Sequence, residues 1–174
     1  MIFQGAARRR SVLPSPSGEK ASTLQAFLSP ASFWVPDQLG PQFAWLEHAP
    51  FAFWLIEALR PRVLVELGTH GGYSYFVFCQ AIQRLKFETR CYAVDTWKGD
   101  SHAGFYGEEV YQRLRNYHDQ HYPAFSTLIR SSFDEALRHF SDGTIDLLHI
   151  DGQHLYQDVK HDFECGGPNY RTEA

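Results

Sequence analysis

The stretch Arg62–Ser74, RVLVELGTHGGYS, constrains the fold of this chain more than any other. Val63, Leu64 and Val65 form an apolar run without alternation, which predicts a strand covered on both faces, as in the middle of a parallel sheet. Glu66 closes that run, and a turn containing Gly68, Gly71 and Gly72 follows. Tyr73 to Leu85 has the length and apolar pattern of a helix. Strand, glycine turn and helix in this order form a cradle for a nucleotide cofactor. Glycines let the backbone approach a ligand and adopt φ > 0, and the start of the helix offers free N–H groups.

The rest of the chain repeats the alternation. A helical pattern runs from Phe43 to Leu59, interrupted at Pro50 and stopped by Pro61, with Phe51, Trp54, Leu55 and Ala58 as its expected apolar face. Strands are expected at Val63–Leu67, Cys91–Val94, about Ser126–Arg130 and Ile145–Ile150. Helices are expected at about Gly107–Tyr117 (Val110, Leu114 and Tyr117 facing inward), Ser132–Phe140 and from Gln153 to about Glu164. Four strands alternating with helices predict an α/β fold, a Rossmann-like, doubly wound parallel sheet in three α/β/α layers. Residues 1–24, rich in Arg, Ser, Pro and Gly, read as a flexible leader, 25–164 as the domain and 165–174 as an irregular tail. With no strand after the fourth, that strand is expected to carry an unpaired apolar edge, where a homodimer could form.

Composition narrows the function. A net charge of −4 argues against a general nucleic-acid binder, and Arg8-Arg9-Arg10 is the one basic cluster. No run of about 18 uncharged apolar residues is present to span a membrane. Cys79, Cys91 and Cys165 are odd in number and form no C-x-x-C pair, which suits a reducing compartment. The expectation is a cytoplasmic protein.

Carboxylates stand at or just after three expected strand ends, Glu66, Asp95 and Asp151, where open α/β sheets bind ligands. Asp95, 27 residues after Gly68, can accept two hydrogen bonds from a ribose diol; a strand-end acid or a helix cap is the alternative. Trp97 reads equally as an aromatic flanking a base or as core. Ser132 or Ser131 fits a helix N-cap. His149, inside the fourth strand, reads as a satisfied interior histidine. His154, Asp158 and His161 share a helical face, which reads as a solvated surface, and no metal ligand set is assigned. A dinucleotide fingerprint would need glycine at positions 68, 70 and 73, where this chain has Gly68, His70 and Tyr73. That counts against an NAD-dependent oxidoreductase.

The spacing Glu66-x-Gly68-x-x-x-Gly72 resembles motif I of the class I S-adenosylmethionine-dependent methyltransferases, with His70 in place of the usual central glycine. Three longer segments, AWLEHAPFAFWLIEALRPRVLVELGTHGGYSYF, CYAVDTWKGDSHAGFYGEEV and IDLLHIDGQHLYQDVKHDFE, resemble the methyltransferase domain 24 group within that class, over about residues 43–164. Members of that group are often found near or fused to glycosyltransferases of surface polysaccharides. The resemblance implies a methyltransferase sheet here lacking its last strands, with S-adenosylmethionine as cofactor and methyl transfer to oxygen on a sugar or other small hydroxylated acceptor. It assigns Glu66, Gly68, Thr69, Gly72, Ser74, Asp95, Trp97, Ser132, Phe133 and Asp151 to cofactor binding, and Asp151 with His154 to catalysis as candidate bases. A non-catalytic cofactor-binding or interaction module on the same fold remains the alternative.

Overall fold

The computed structural model describes residues 2–5, 28–38, 43–100, 104–153, 155–167 and 169. Strand β1 is Ile2–Gly5, and two 3-10 turns follow at Pro30–Phe33 and Phe43–His48. Helix α1 (Ala49–Leu59) leads to strand β2 (Val63–Leu67), helix α2 (Tyr73–Leu85) and strand β3 (Arg90–Asp95). A two-residue hairpin, β4 (Gly99–Asp100) with β5 (Gly104–Phe105), precedes helix α3 (Glu108–His121). Strand β6 (Ser126–Arg130), helix α4 (Phe133–Leu137), strand β7 (Leu147–Ile150) and helix α5 (Tyr156–Gly166) complete the order.

The sheet order is β1-β7-β2-β3-β6. The last four strands are mutually parallel, with Leu67 paired to Val94 on one side and to Ile150 on the other. Successive side chains of β2 point to opposite faces, and both faces are covered. Leu64 joins a core with α1, α2 and α3, whereas Val65 and Leu67 join one with α4. That double covering is why β7 throughout and β2 from Leu64 onward are buried without alternation. The expected three-layer α/β/α arrangement is therefore present. Helix α2 lies in the thick of it, buried at every residue from Tyr73 to Ile82.

Three expectations are corrected. The edge of β7 is not open: β1 pairs with it antiparallel, Ile2 opposite Ile150 and Gly5 opposite Leu147. Four residues assigned to a flexible leader thus saturate the backbone of the apolar edge strand, so the proposed homodimer edge is occupied from within the chain. The second correction concerns α1. Its buried residues are Ala49, Ala52, Phe53, Leu55 and Ile56, while Phe51 is 41% exposed. The helix is apolar almost all round, so several faces satisfy the period, and small Ala49 and Ala52 permit the close packing on α2 that decides between them. Third, α5 begins at Tyr156 and extends to Gly166, into the expected tail, because Gly166 packs against Leu148 of the sheet.

Pro50 lies in the first turn of α1, where a missing N–H costs nothing, and Arg60 in a left-handed conformation ends the helix before Pro61. On α3, Leu114 is buried with Val110 and Tyr117 packed around it, as the sequence pattern predicts. No helix among the described residues is long and apolar enough to cross a membrane.

Candidate active site

Strand β2 is followed in sequence by β3 and β6 on one side, while β7 returns to its other side. The order of the parallel strands therefore reverses between β2 and β7, and a ligand crevice is expected at their carboxyl ends. Gly68 and Asp151 stand there, immediately after the two strands. Gly68 has φ +89, and a Cβ on it would lie 2.5 Å from the Asp151 carbonyl oxygen and 2.6 Å from the Gly152 Cα. The glycine is thus required by the close approach of two strand-end loops, as well as by its backbone conformation. Gly72, at φ +84, begins α2, and a side chain there would strike the Phe76 ring and Leu114.

Glu66 points to the α2 side of the sheet and is fully buried. Its Oε2 accepts a hydrogen bond from His149 Nδ1 at 2.8 Å, between residues paired in register on β2 and β7. Burial pushes the Glu66 carboxyl above its ordinary value; the His149 bond and charge and the Ser74 hydroxyl oppose that, and Asp151 adds to it. His149 is as interior as the sequence implies, with Trp45 and Phe78 edge-on to its ring, each at 5.3 Å. Trp45 also donates its indole N–H to Asp151 Oδ2 at 2.9 Å. No sequence signal joins Trp45 to the crevice, since 106 positions separate the two.

Asp95 holds the turn itself. Its Oδ2 accepts the backbone N–H groups of Thr69 and His70, at 3.0 and 2.8 Å, and its Oδ1 accepts that of Trp97 at 2.7 Å. Three backbone donors on one carboxylate fix the loop that a cofactor would meet. His70, at φ 45, takes the left-handed conformation that a glycine would supply without strain, and its ring lies 4.7 Å from that of Tyr106. Trp97 is 1% exposed, donates its indole N–H to the His70 carbonyl at 2.9 Å and packs against Tyr111. The indole thus packs in the core and supports the turn through the His70 carbonyl.

Ser132 is the N-cap of α4: its hydroxyl accepts from the Glu135 N–H and donates to the Glu135 carboxylate. Phe133 leans on Gly152, where a Cβ would come within 2.7 Å of its ring. The turn after β6 thereby touches the loop after β7. Asp162, buried behind Gly152, has its carboxyl pushed up to about 6, first by burial, with Asp158 and Asp134 adding and His161 opposing. His154 lies outside the described residues. The other expected site residues lie at or beside the carboxyl ends of the parallel strands: Gly68 against Asp151; Glu66 near Ser74 and, through His149 and Trp45, Asp151; Asp95 with Thr69 and Trp97; Gly72 at the start of α2; and Ser132 and Phe133 at the start of α4, Phe133 beside Gly152.

Three buried polar atoms around the turn, Glu66 Oε1, Thr69 Oγ1 and the Tyr73 hydroxyl, have no hydrogen-bond partner among the described residues. Orphaned polar atoms in a core are costly, so a further polar group bound at this turn would be favoured by them. Tyr73 is the member that sequence reasoning missed, although its position at the first residue of α2 could have found it.

A family model described as "Methyltransferase domain" matches residues 65–172. The chain belongs to that methyltransferase-domain family. A curated relative, "Uncharacterized protein y4gI" of Sinorhizobium fredii (strain NBRC 101917 / NGR234), is 57% identical over 129 residues. The match takes in 74% of this chain and 14% of that protein, so the chain spans a small part of its relative's length. Among solved structures, a putative caffeoyl-CoA O-methyltransferase from Staphylococcus aureus aligns with TM-score 0.56 and 16% identity, over 77% of this chain and 55% of that one. The O-methyltransferase from Bacillus cereus in complex with SAH aligns with TM-score 0.56 and 16% identity, over 85% and 57%. These likenesses establish the fold, and this chain corresponds to somewhat more than half of each solved structure.

Proposed function

We propose that this chain forms the cofactor-binding part of an S-adenosylmethionine-dependent O-methyltransferase acting on a small hydroxylated acceptor such as a sugar. The observation that carries the proposal is the set of orphaned polar atoms on Glu66, Thr69 and Tyr73 around a glycine turn at the sheet's switch point. Together with the carboxyl group of Glu66 and the carboxylate of Asp151, they suit the amino-acid end of S-adenosylmethionine, which offers ammonium donors and carboxylate acceptors beside a positive sulfonium. When bound, the cofactor supplies a methyl group on that sulfonium for in-line attack by an oxygen nucleophile. The chain's part is positioning. Asp95 stiffens the loop through its three backbone bonds, leaving lone-pair capacity for a ribose hydroxyl. Trp45 fixes one oxygen of Asp151, and the other is the oxygen we assign to take the acceptor's proton. His154 follows as a second candidate base.

The domain we assign to this role is residues 25–166, with Ile2–Gly5 completing its sheet. The O-methyltransferase from Bacillus cereus, solved in complex with SAH, shares this fold, which supports both the cofactor and transfer to oxygen. The three cysteines are free thiols, which supports a reducing, cytoplasmic setting.

Calorimetric titration with S-adenosylhomocysteine tests the proposal. The folded chain is expected to bind it, and Asp95→Ala, which releases the turn, to lose binding while keeping its far-UV spectrum. Absence of binding both by this chain and by a longer relative that contains it would overturn the reading.

A further inference from the structure

On the outer side of α4 and α5, three side chains of different ligand chemistry converge. His161 and Cys165 stand at i and i+4 on α5 and so share a face one turn apart. Asp134 reaches them from the first turn of α4. His161 Nε2 lies 3.0 and 3.2 Å from the two Asp134 carboxylate oxygens, and Cys165 Sγ lies 3.5 Å from the same nitrogen. One ligand atom from each residue falls within 4.8 Å of the other two.

Those separations are informative. Around a tetrahedral ion with nitrogen and oxygen at about 2.0–2.1 Å and sulfur at about 2.3 Å, neighbouring ligand atoms stand about 3.3–3.6 Å apart. The nitrogen–sulfur edge already has that length, and the nitrogen–oxygen edge is short of it by a few tenths of an ångström. A surface His–Asp ion pair accounts for the second edge; the sulfur stands 3.5 Å from Nε2 and 3.8 Å from Nδ1, beside the ring rather than on one nitrogen's lone-pair axis, so shared ligation calls for a rotation of the His161 ring. The surrounding carboxylates of Asp158, Asp162 and Glu164 add negative potential that favours a cation.

We propose that Asp134, His161 and Cys165 form a binding site for a divalent transition metal of the zinc type. Thiolate and imidazole select such an ion over magnesium or calcium, which prefer oxygen. Three protein ligands leave a fourth position for water. The site lies outside the crevice formed by Glu66, Asp95 and Asp151. It has a route to that crevice, because α4 carries Phe133, which packs on Gly152 beside Asp151. A metal joining α4 to α5 would fix that wall.

Cobalt(II) added to the metal-free chain is the test. The expected result is one ion per chain, with a sulfur-to-cobalt charge-transfer band in the near ultraviolet and tetrahedral visible bands, all displaced by zinc. The charge-transfer band should vanish in Cys165→Ser, and binding should be lost in His161→Ala and weakened in Asp134→Asn. Zinc should raise the thermal midpoint of the wild-type chain and leave that of His161→Ala unmoved. These exposed or half-buried positions tolerate substitution, and circular dichroism checks that each variant is folded. A folded wild-type chain without a charge-transfer band overturns the proposal. So does a band that persists in Cys165→Ser, which would place the ion on Cys79 or Cys91, or an unchanged zinc shift in His161→Ala.

Discussion

Glu66 and His149 face each other in register across β2 and β7, joined by a 2.8 Å hydrogen bond in a region closed to solvent. The pair ties the strand before the glycine turn to the strand before Asp151, so the two walls of the crevice are fixed by one polar contact. Because burial holds the Glu66 carboxyl above its ordinary value, its protonated form is favoured by folding. Its contribution to stability is complete below the unfolded value near 4.5 and declines as pH rises through the raised folded value. Glu66→Gln should remove that decline. Urea unfolding from pH 4 to pH 8 should show the wild-type chain losing stability relative to the variant as pH rises, and parallel profiles would refute the assignment.

Gly68→Ala should destabilise the chain. The left-handed conformation alone costs about 1–3 kcal/mol for a residue with a side chain, and the Cβ would press on the Asp151 carbonyl besides. The midpoint of chemical denaturation measures the loss, which should be accompanied by weaker S-adenosylhomocysteine binding because both loops must shift. A variant as stable as wild type would mean that the loops are not held together there.

Trp45→Phe keeps an aromatic ring beside His149 but removes the N–H that meets Asp151. A hydrogen bond to a carboxylate contributes about 1.5–3 kcal/mol when shielded from water, and this one is partly exposed, so a loss of about 1–2 kcal/mol is expected. If Asp151 takes the acceptor's proton, turnover in a longer active relative should fall more than cofactor affinity does. Equal effects on both would assign Trp45 to packing alone.

Ser126 joins three elements. Its hydroxyl lies 2.6 Å from the Tyr75 hydroxyl on α2 and 2.9 Å from His118 Nε2 on α3. Ser126→Ala leaves both partners buried without it, at a cost of about 1–3 kcal/mol. Hydrogen exchange should quicken in α3 more than in the central strands. Uniform exchange would indicate that the hydroxyl is not what holds α3.

The two faces of α1 can be told apart directly. Phe53→Ala should cost about 3–5 kcal/mol, since Phe53 is fully buried against Trp34 and the α2 side of the core. Phe51→Ala should cost less than about 1 kcal/mol, because that ring is 41% exposed. Thermal melts of the two variants decide the matter, and the reverse order would restore the face read from the sequence.

The strands β2, β3, β6 and β7, the glycine turn and the three strand-end carboxylates were legible in the sequence because each is a local signal. An apolar run without alternation means burial on both faces, and a glycine between strand and helix means a backbone that other residues cannot adopt. Tertiary structure alone decided which partner each group meets. Only the folded chain brings Ile2–Gly5 to the edge of β7, Trp45 to Asp151, and the Asp95 carboxylate to the backbone of the turn. It also chose the buried face of α1, which a helix apolar almost all round leaves undetermined. The physical reason is common to all of these: pairings between residues tens to more than a hundred positions apart leave no periodicity in the chain, so they follow from shape and packing rather than from pattern.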